Sequence, residues 1–372
     1  MSDTIKRPAL AEDGVVPAPA RAGKRRWWRW GLALIGVAAL LYLPTVLTDR
    51  AILGVRLSNM QLLNLGLTQI NLMLISMLGA LSLNYLTGSA GLISIGHGAF
   101  YATGAMAAAA TGTQLGWPFP LVLLSAAAAG AVVGVLAGLP SLRVRGLYFV
   151  LSTMAAHYIV VFAFLEYQFR FFDVVGVPYE TPSLGAFELN TPVRWYYFLL
   201  VLVVLVYIGL SNSLRTREGR ALLAMRDHER AAVSAGVNVR VLRIKVFGLS
   251  SAIAAVAGAL YAYYLSNATA ESFNIAFAIQ FIAMIIVGGM GSLTGALLGA
   301  AVWLLLPSII GGFASEIGPL PGIVGSVLTE HRAQFVQLIF GFLVIVLLIF
   351  APGGLAGLGR QLQGLLSPKK DD

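Results

Sequence analysis

The chain has 372 residues, 58% of them hydrophobic and 11% charged, and its mean hydropathy is +0.83. A water-soluble surface carries about 25% charged residues, so this composition excludes a soluble domain and selects a lipid bilayer as the surrounding medium. The net charge of +9 lies in segments beside apolar runs, which excludes a nucleic-acid partner, and the absence of Cys excludes disulfide and thiolate chemistry.

Residues 1–29 form a polar, Pro- and Ala-rich basic tail (Lys6, Arg7, Lys24, Arg25, Arg26), expected to be cytoplasmic and disordered. Trp27, Trp28 and Trp30 stand where an interfacial aromatic belt belongs. A spanning helix needs about 20 mostly apolar residues. Runs of that kind predict an all-α integral membrane protein, a polytopic helical bundle of about ten spans. They fall at 30–48, 62–86, 98–114, 119–140, 147–168, 193–213, 245–266, 277–291, 293–312 and 334–351. The first is read as an uncleaved helix, because it runs into LYLPTVLTD without a small-residue cleavage site. The eighth and ninth are short and glycine-interrupted, as half-helices or a re-entrant pair would be. A transmembrane domain is therefore expected over 30–355, followed by a cytoplasmic tail at 356–372.

With the N-terminus inside, the inner segments are 1–29, 141–146, 214–244 and the tail after 351. Together with Lys245 they hold all but five of the 25 Lys and Arg residues. The outer side keeps Arg50, Arg56, Arg170, Arg194 and Arg332. This is the bias of a correctly oriented bacterial inner-membrane protein, with both termini in the cytoplasm.

On this topology no carboxylate lies at mid-depth: Glu166 and Glu271 fall near outer span ends, leaving His97 and His157 as interior titratable groups. Ion-coupled carriers usually place a carboxylate there, which weakens the alternative of a stand-alone ion-coupled secondary transporter. No Walker A pattern, H-E-x-x-H, G-x-S-x-G or metal-ligand cluster occurs. The chain is read as non-catalytic, without a metal or cofactor of its own.

Two glycine-rich stretches stand out, Gly88-Ser-Ala-Gly91-Leu-Ile-Ser94-Ile-Gly96-His97-Gly98-Ala99 and Gly288-Gly289-Met-Gly291-Ser292-Leu-Thr294-Gly295. Broken helices of this sort line transporter pathways, which makes Asn84, Gly88, Gly91, Ser94, Gly96, His97, Gly98, Gly288, Gly289, Gly291 and Ser292 the candidate pathway residues. The competing reading is that the glycines permit close helix crossings. His97 either faces a pathway or makes a buried packing hydrogen bond.

The inner loop 214–244 contains a short amphipathic helix over 220–236. Arg226–Glu229 and Asp227–Arg230 are spaced as i,i+3 pairs, and Gly236 is placed to stop the helix. Such a basic segment can lie on anionic lipid, but its small residues (Ala231, Ala232, Ala235, Gly236) favour docking against a protein partner.

At these places the chain resembles the LivM-type permeases of branched-chain amino acid ABC importers. The matching stretches are LTGSAGLISIGHGAF, GRALLAMRDHERAAVSAGVNV running into AGALYAYYL, VGGMGSLTGALLGA and a final APGGL, spread across most of 65–355. The resemblance implies a LivM-type ABC permease fold and four kinds of partner. These are a second, LivH-type permease subunit, two ABC ATPase subunits that bind ATP and magnesium, an extracytoplasmic solute-binding protein and the lipid bilayer. Residues 229–236 resemble the E-A-A-x-x-x-G coupling segment that seats in an ATPase groove. By that likeness Glu229, Ala231, Ala232 and Gly236 transmit ATP-driven closure, with Glu218, Gly219, Arg220, Arg226 and Asp227 completing the coupling loop.

One departure bears on the solute. Family members commonly carry a T-G-G-x-x-G-like outer segment after the fifth span, where this chain has FDVVGVPYETPSLGAF within the atypical region 171–192. Branched-chain or other amino acids, amides, urea and aromatic acids therefore all stay open as solutes.

Overall fold

The computed structural model describes residues 66–144, 146–172, 176–185, 187–316, 332–350 and 353–357, with fragments at 42–44, 51–52 and 55–56. Of the expected first span, only 42–44 is described, and it is helical; the tail 1–29 and residues 358–372 lie outside the described residues.

Helix α1 (Leu67–Leu83) ends in a π-helical turn at Asn84–Ser89, and α2 (His97–Ala108) in a second one at Ala109–Gln114. Then come α3 (Phe119–Gly138), α4 (Leu147–Phe171) and α5 (Pro192–Arg215). Two short helices follow, α6 (Arg217–Asp227) and α7 (Glu229–Ser234). The remaining helices are α8 (Val239–Leu265), α9 (Ile275–Gly288), α10 (Leu293–Glu316) and α11 (Arg332–Phe350). The apolar runs and the helices therefore coincide from the second span onward. Six helices among the described residues are long and apolar enough to cross a membrane, so the expected count of ten is not reached there. The eighth span is short as expected, 14 residues. The ninth is not: α10 runs for 24 residues, because the apolar sequence carries through the internal Pro307.

Burial separates centre from rim. The apolar windows of Leu67–Ser89 and Val239–Leu265 are 78% and 61% buried, against 17–28% for Phe119–Leu142, Leu147–Phe171, Pro192–Arg215 and Leu293–Gly312. Helices α1 and α8 thus form the core. The rim helices turn apolar side chains such as Leu124, Ile159, Phe162 and Leu205 outward, as lipid contact requires.

Lipid tails are as apolar as the side chains, so helix association rests on close van der Waals fit rather than on escape from water. Small residues supply that fit. On α3 the buried positions are Phe119, Val122, Ala126, Gly130, Gly134 and Gly138, one helical stripe whose glycines meet Phe247, Ser251 and Ala255 of α8. On the other side of α8, a Cβ at Gly104 of α2 would fall 1.8 Å from the Ala255 carbonyl oxygen, and one at Gly258 of α8 2.1 Å from that of Tyr101. Close helix crossings at Gly104, Gly130, Gly134, Gly138 and Gly258 thus build the core.

At one end of the bundle Val177–Pro178 pairs antiparallel with Asn267–Ala268. Tyr179 anchors the same segment by donating its hydroxyl to the Ala105 carbonyl at 3.0 Å. The atypical region 171–192 is thus tied to α2 and to the end of α8 rather than standing away from them.

Candidate functional site

The site lies at the opposite end, where α6 and α7 meet the two glycine turns. The first turn begins inside α1. The π-helical stretch Asn84–Ser89 widens the helix by one residue per turn, and the chain then leaves helical form over 91–96 before His97 opens α2. The second turn, 289–292, joins α9 to α10. Gly91, Gly289 and Gly291 all have positive φ (73°, 110° and 83°), where a side chain would be strained.

The two turns are bonded to each other. The Gly291 N–H donates to Asn84 Oδ1 at 2.9 Å, and a Cβ on Gly88 would stand 2.4 Å from the Gly291 nitrogen. Gly354 closes the third side, since a Cβ on it would meet the Gly289 nitrogen at 2.4 Å. Gly288 abuts the Gly295 carbonyl, and the Ser292 hydroxyl accepts from the Gly295 N–H at 3.1 Å. Three stretches distant in sequence therefore make one junction.

Arg226, in the last turn of α6, reaches into this junction. Its Nη1 donates to the Gly88 carbonyl at 2.8 Å. Its Nε and Nη2 hold Asp227 Oδ1, each at 3.0 Å. The guanidinium lies against Gly291 and its stem against Gly91; a Cβ on either would come within about 3.0 Å. The three glycines form a slot that admits one arginine.

The α6–α7 segment is anchored a second time. Glu229, first residue of α7, forms an ion pair at 2.9 Å with Arg243, whose Nη1 also donates to the Ser141 carbonyl beyond α3. Glu218 pairs with Lys245, and Arg220 Nη1 donates to the Arg215 carbonyl at 2.9 Å. Gly219 tucks against Ser213 and Leu214. Ala232 is buried, whereas Ala231, Val233, Ala235 and Gly236 are exposed. Beside the junction opens a cleft of about 450 Å³, lined by Gly91, Ser141, Gly146, Phe149, Glu229 and Arg243.

The expected single helix over 220–236 is corrected here. His228, with φ −148° and ψ 89°, divides it into α6 and α7. The break removes the i,i+3 geometry, so Arg226 pairs with its neighbour Asp227 and Glu229 with Arg243. The stop at Gly236 is as expected, with φ at 83°.

The remaining candidate pathway residues line the core side of the first turn. Ser94 is fully buried, Gly96 abuts the Thr153 carbonyl, and Gly98 faces the His157 ring. His97 is fully buried, edge-on to Phe100 and Phe281, with Nε2 2.7 Å from Ser82 Oγ. Ser82 donates its one proton to the Gly79 carbonyl, so it accepts from the imidazole N–H. Ser250 of α8 donates to the Ser82 carbonyl at 2.7 Å, which links three core helices. His97 thus makes the buried packing hydrogen bond. Ser82→Ala should leave the His97 N–H unpaired and cost about 1–3 kcal/mol. The check is thermal unfolding in detergent, where an unchanged Tm would show that the bond adds nothing.

Arg243 and Ser141 escaped the sequence reading, because their bond joins residues 102 positions apart. No group of three His, Cys, Asp or Glu residues placed to hold a metal occurs among the described residues.

The family model for the branched-chain amino acid transport system permease component matches residues 66–351. The chain is 28% identical over 308 residues to the high-affinity branched-chain amino acid transport system permease protein LivM of Escherichia coli (strain K12), covering 75% of this chain and 67% of that one. A probable branched-chain amino acid transport permease protein LivM of Methanocaldococcus jannaschii is 28% identical over 63% of this chain and 67% of its own length. The galactofuranose transporter permease protein YtfT of Escherichia coli (strain K12) is 27% identical over 63% and 65%. No solved structure matches the chain.

Proposed function

The chain belongs to the family of branched-chain amino acid transport permease components, and on that premise we propose that it forms one half of the membrane conduit of an ATP-driven importer. It is a multi-pass membrane protein and a permease subunit, and its relatives favour this role over a stand-alone ion-coupled carrier. In the proposed assembly a second, LivH-type permease completes the conduit, a binding protein delivers solute at the strand-bearing end, and two ATPase subunits seat at α6 and α7. ATP and magnesium belong to those subunits.

The α6–α7 end faces the cytoplasm in this reading, since Arg143, Arg215, Arg217, Arg220 and Arg240 gather there. The solute is small and polar. A branched-chain amino acid is the first choice, because that is the cargo two of the relatives' names carry.

The observation that carries the proposal is the double anchoring of the coupling segment. Arg226 bonds α6 to the glycine turn of α1 and packs it against Gly291 in the turn before α10, and Glu229 ties α7 to α8 and the end of α3. A force applied at the surface of α6 and α7 is thereby delivered to four transmembrane helices. Exposed Ala231, Ala235 and Gly236 give that surface a low profile for close docking.

The test is affinity purification of the tagged protein in mild detergent from cells expressing its neighbouring genes. A second permease and P-loop ATPases should co-purify. Reproducible recovery of the chain alone would defeat the proposal.

A further inference from the structure

We infer that Arg226 is a latch on the inner gate: it holds the two glycine turns together while α6 is at rest and releases them when α6 moves. The inference rests on the importer reading for what moves α6, and on this structure alone for what Arg226 holds.

The gate consists of backbone. Gly88 and Gly291 approach closely enough that no Cβ fits between them, and the Asn84–Gly291 hydrogen bond spans the contact. Beneath it lie buried side chains without a hydrogen-bond partner among the described residues: Asn84 Nδ2, Ser89 Oγ and Ser94 Oγ. Buried polar atoms are costly when unpaired, so a route lined by them is dry while the turns meet and gains hydration when they part.

Arg226 is built for this position. A guanidinium presents its donors as a rigid planar fork, and here the fork divides. One branch grips the Gly88 carbonyl, which the π-helical turn presents to it. The other is oriented by Asp227 on the same helix. Gly91 and Gly291 wall the slot, so the side chain cannot swing aside without leaving both turns. A displacement of α6 of about 1 Å would carry a 2.8 Å bond beyond hydrogen-bonding range. The latch is therefore coupled to α6, part of the surface on which the proposed ATPase seats.

The chain contains no cysteine, so Ser89→Cys introduces its single thiol, buried directly beside the gate. In membranes holding the whole importer without ATP, maleimide labelling of the S89C variant should be slow. Adding Arg226→Ala should speed it at least 5-fold. In the otherwise unmodified importer, Arg226→Ala should lower solute uptake at least 10-fold while ATP hydrolysis continues and the ATPase still co-purifies.

Arg226→Lys keeps the charge but not the fork and should label at an intermediate rate. Ser94→Cys, at a second buried position, serves if S89C does not assemble. Unchanged labelling in R226A would overturn the latch, and so would loss of the ATPase from R226A, which would make Arg226 a docking contact instead. A wild-type complex without any ATPase would defeat the importer reading, while the labelling comparison would still test the latch.

Discussion

Replacing Gly104 with leucine is expected to abolish recovery of folded protein. Gly104 lies where α2 crosses the central helix α8, and even a Cβ there would fall 1.8 Å from the Ala255 carbonyl oxygen and 2.5 Å from its carbon. Backbone cannot yield as a flexible side chain does. The helices must separate, and separation also breaks the reciprocal fit of Gly258 against the Tyr101 carbonyl. Overpacking usually costs about 1–3 kcal/mol. Here it opens the core crossing along its length, in a bilayer that supplies no hydrophobic drive to close it again. Gly209→Leu is the control: Gly209 lies on the exposed face of α5 with nothing within 4 Å of its Cβ position. The G104L variant should show no monodisperse peak on size exclusion in detergent, and G209L should match the parent. A wild-type yield from G104L would mean that the α2–α8 crossing is not as tight as the geometry requires.

Gly236→Trp should lower ATPase association more than 10-fold and leave membrane insertion unchanged. The position has open space around it, so an indole meets no obstacle within this chain. Its φ of 83° does strain a side chain, and that strain must be separated from blockage. Asn tolerates the left-handed region better than other residues with side chains. Gly236→Asn should accordingly retain most of the association, whereas the Trp side chain occupies the volume a docked partner needs. Equal loss in both variants would assign the effect to backbone strain, and normal association with G236W would remove this surface from the interface.

The helices were legible because their signal is local: about 20 apolar residues in a row mark a span whatever its neighbours do. The same locality explains where the reading stopped. The run through Leu304, Leu305 and Leu306 passes Pro307 and meets no charged residue before Glu316, yet the glycines around it suggested a short element; the structure carries α10 on to Glu316. The break at His228 was invisible, since helical periodicity on both sides of it is intact. Its cause is tertiary: Arg226 and Glu229 are pulled to different partners, Gly88 and Arg243, and one straight helix cannot serve both. The two glycine stretches stand out in the sequence, but composition could not reveal that they touch. Nothing local in Gly88 or Gly291 points across the long stretch of chain between them.

The brevity of α9 sets a condition on the membrane itself. Fourteen residues rise about 21 Å, some 9 Å less than a typical hydrocarbon core. Ile279 on this helix is half exposed; where α9 crosses a bilayer, the acyl layer thins or the flanking residues reach outward to match the Asn274 cap at one end and the Gly289 turn at the other. Bilayer thickness thereby bears on the junction: longer acyl chains raise the cost of that mismatch and load it onto the turn that Gly291 shares with Asn84.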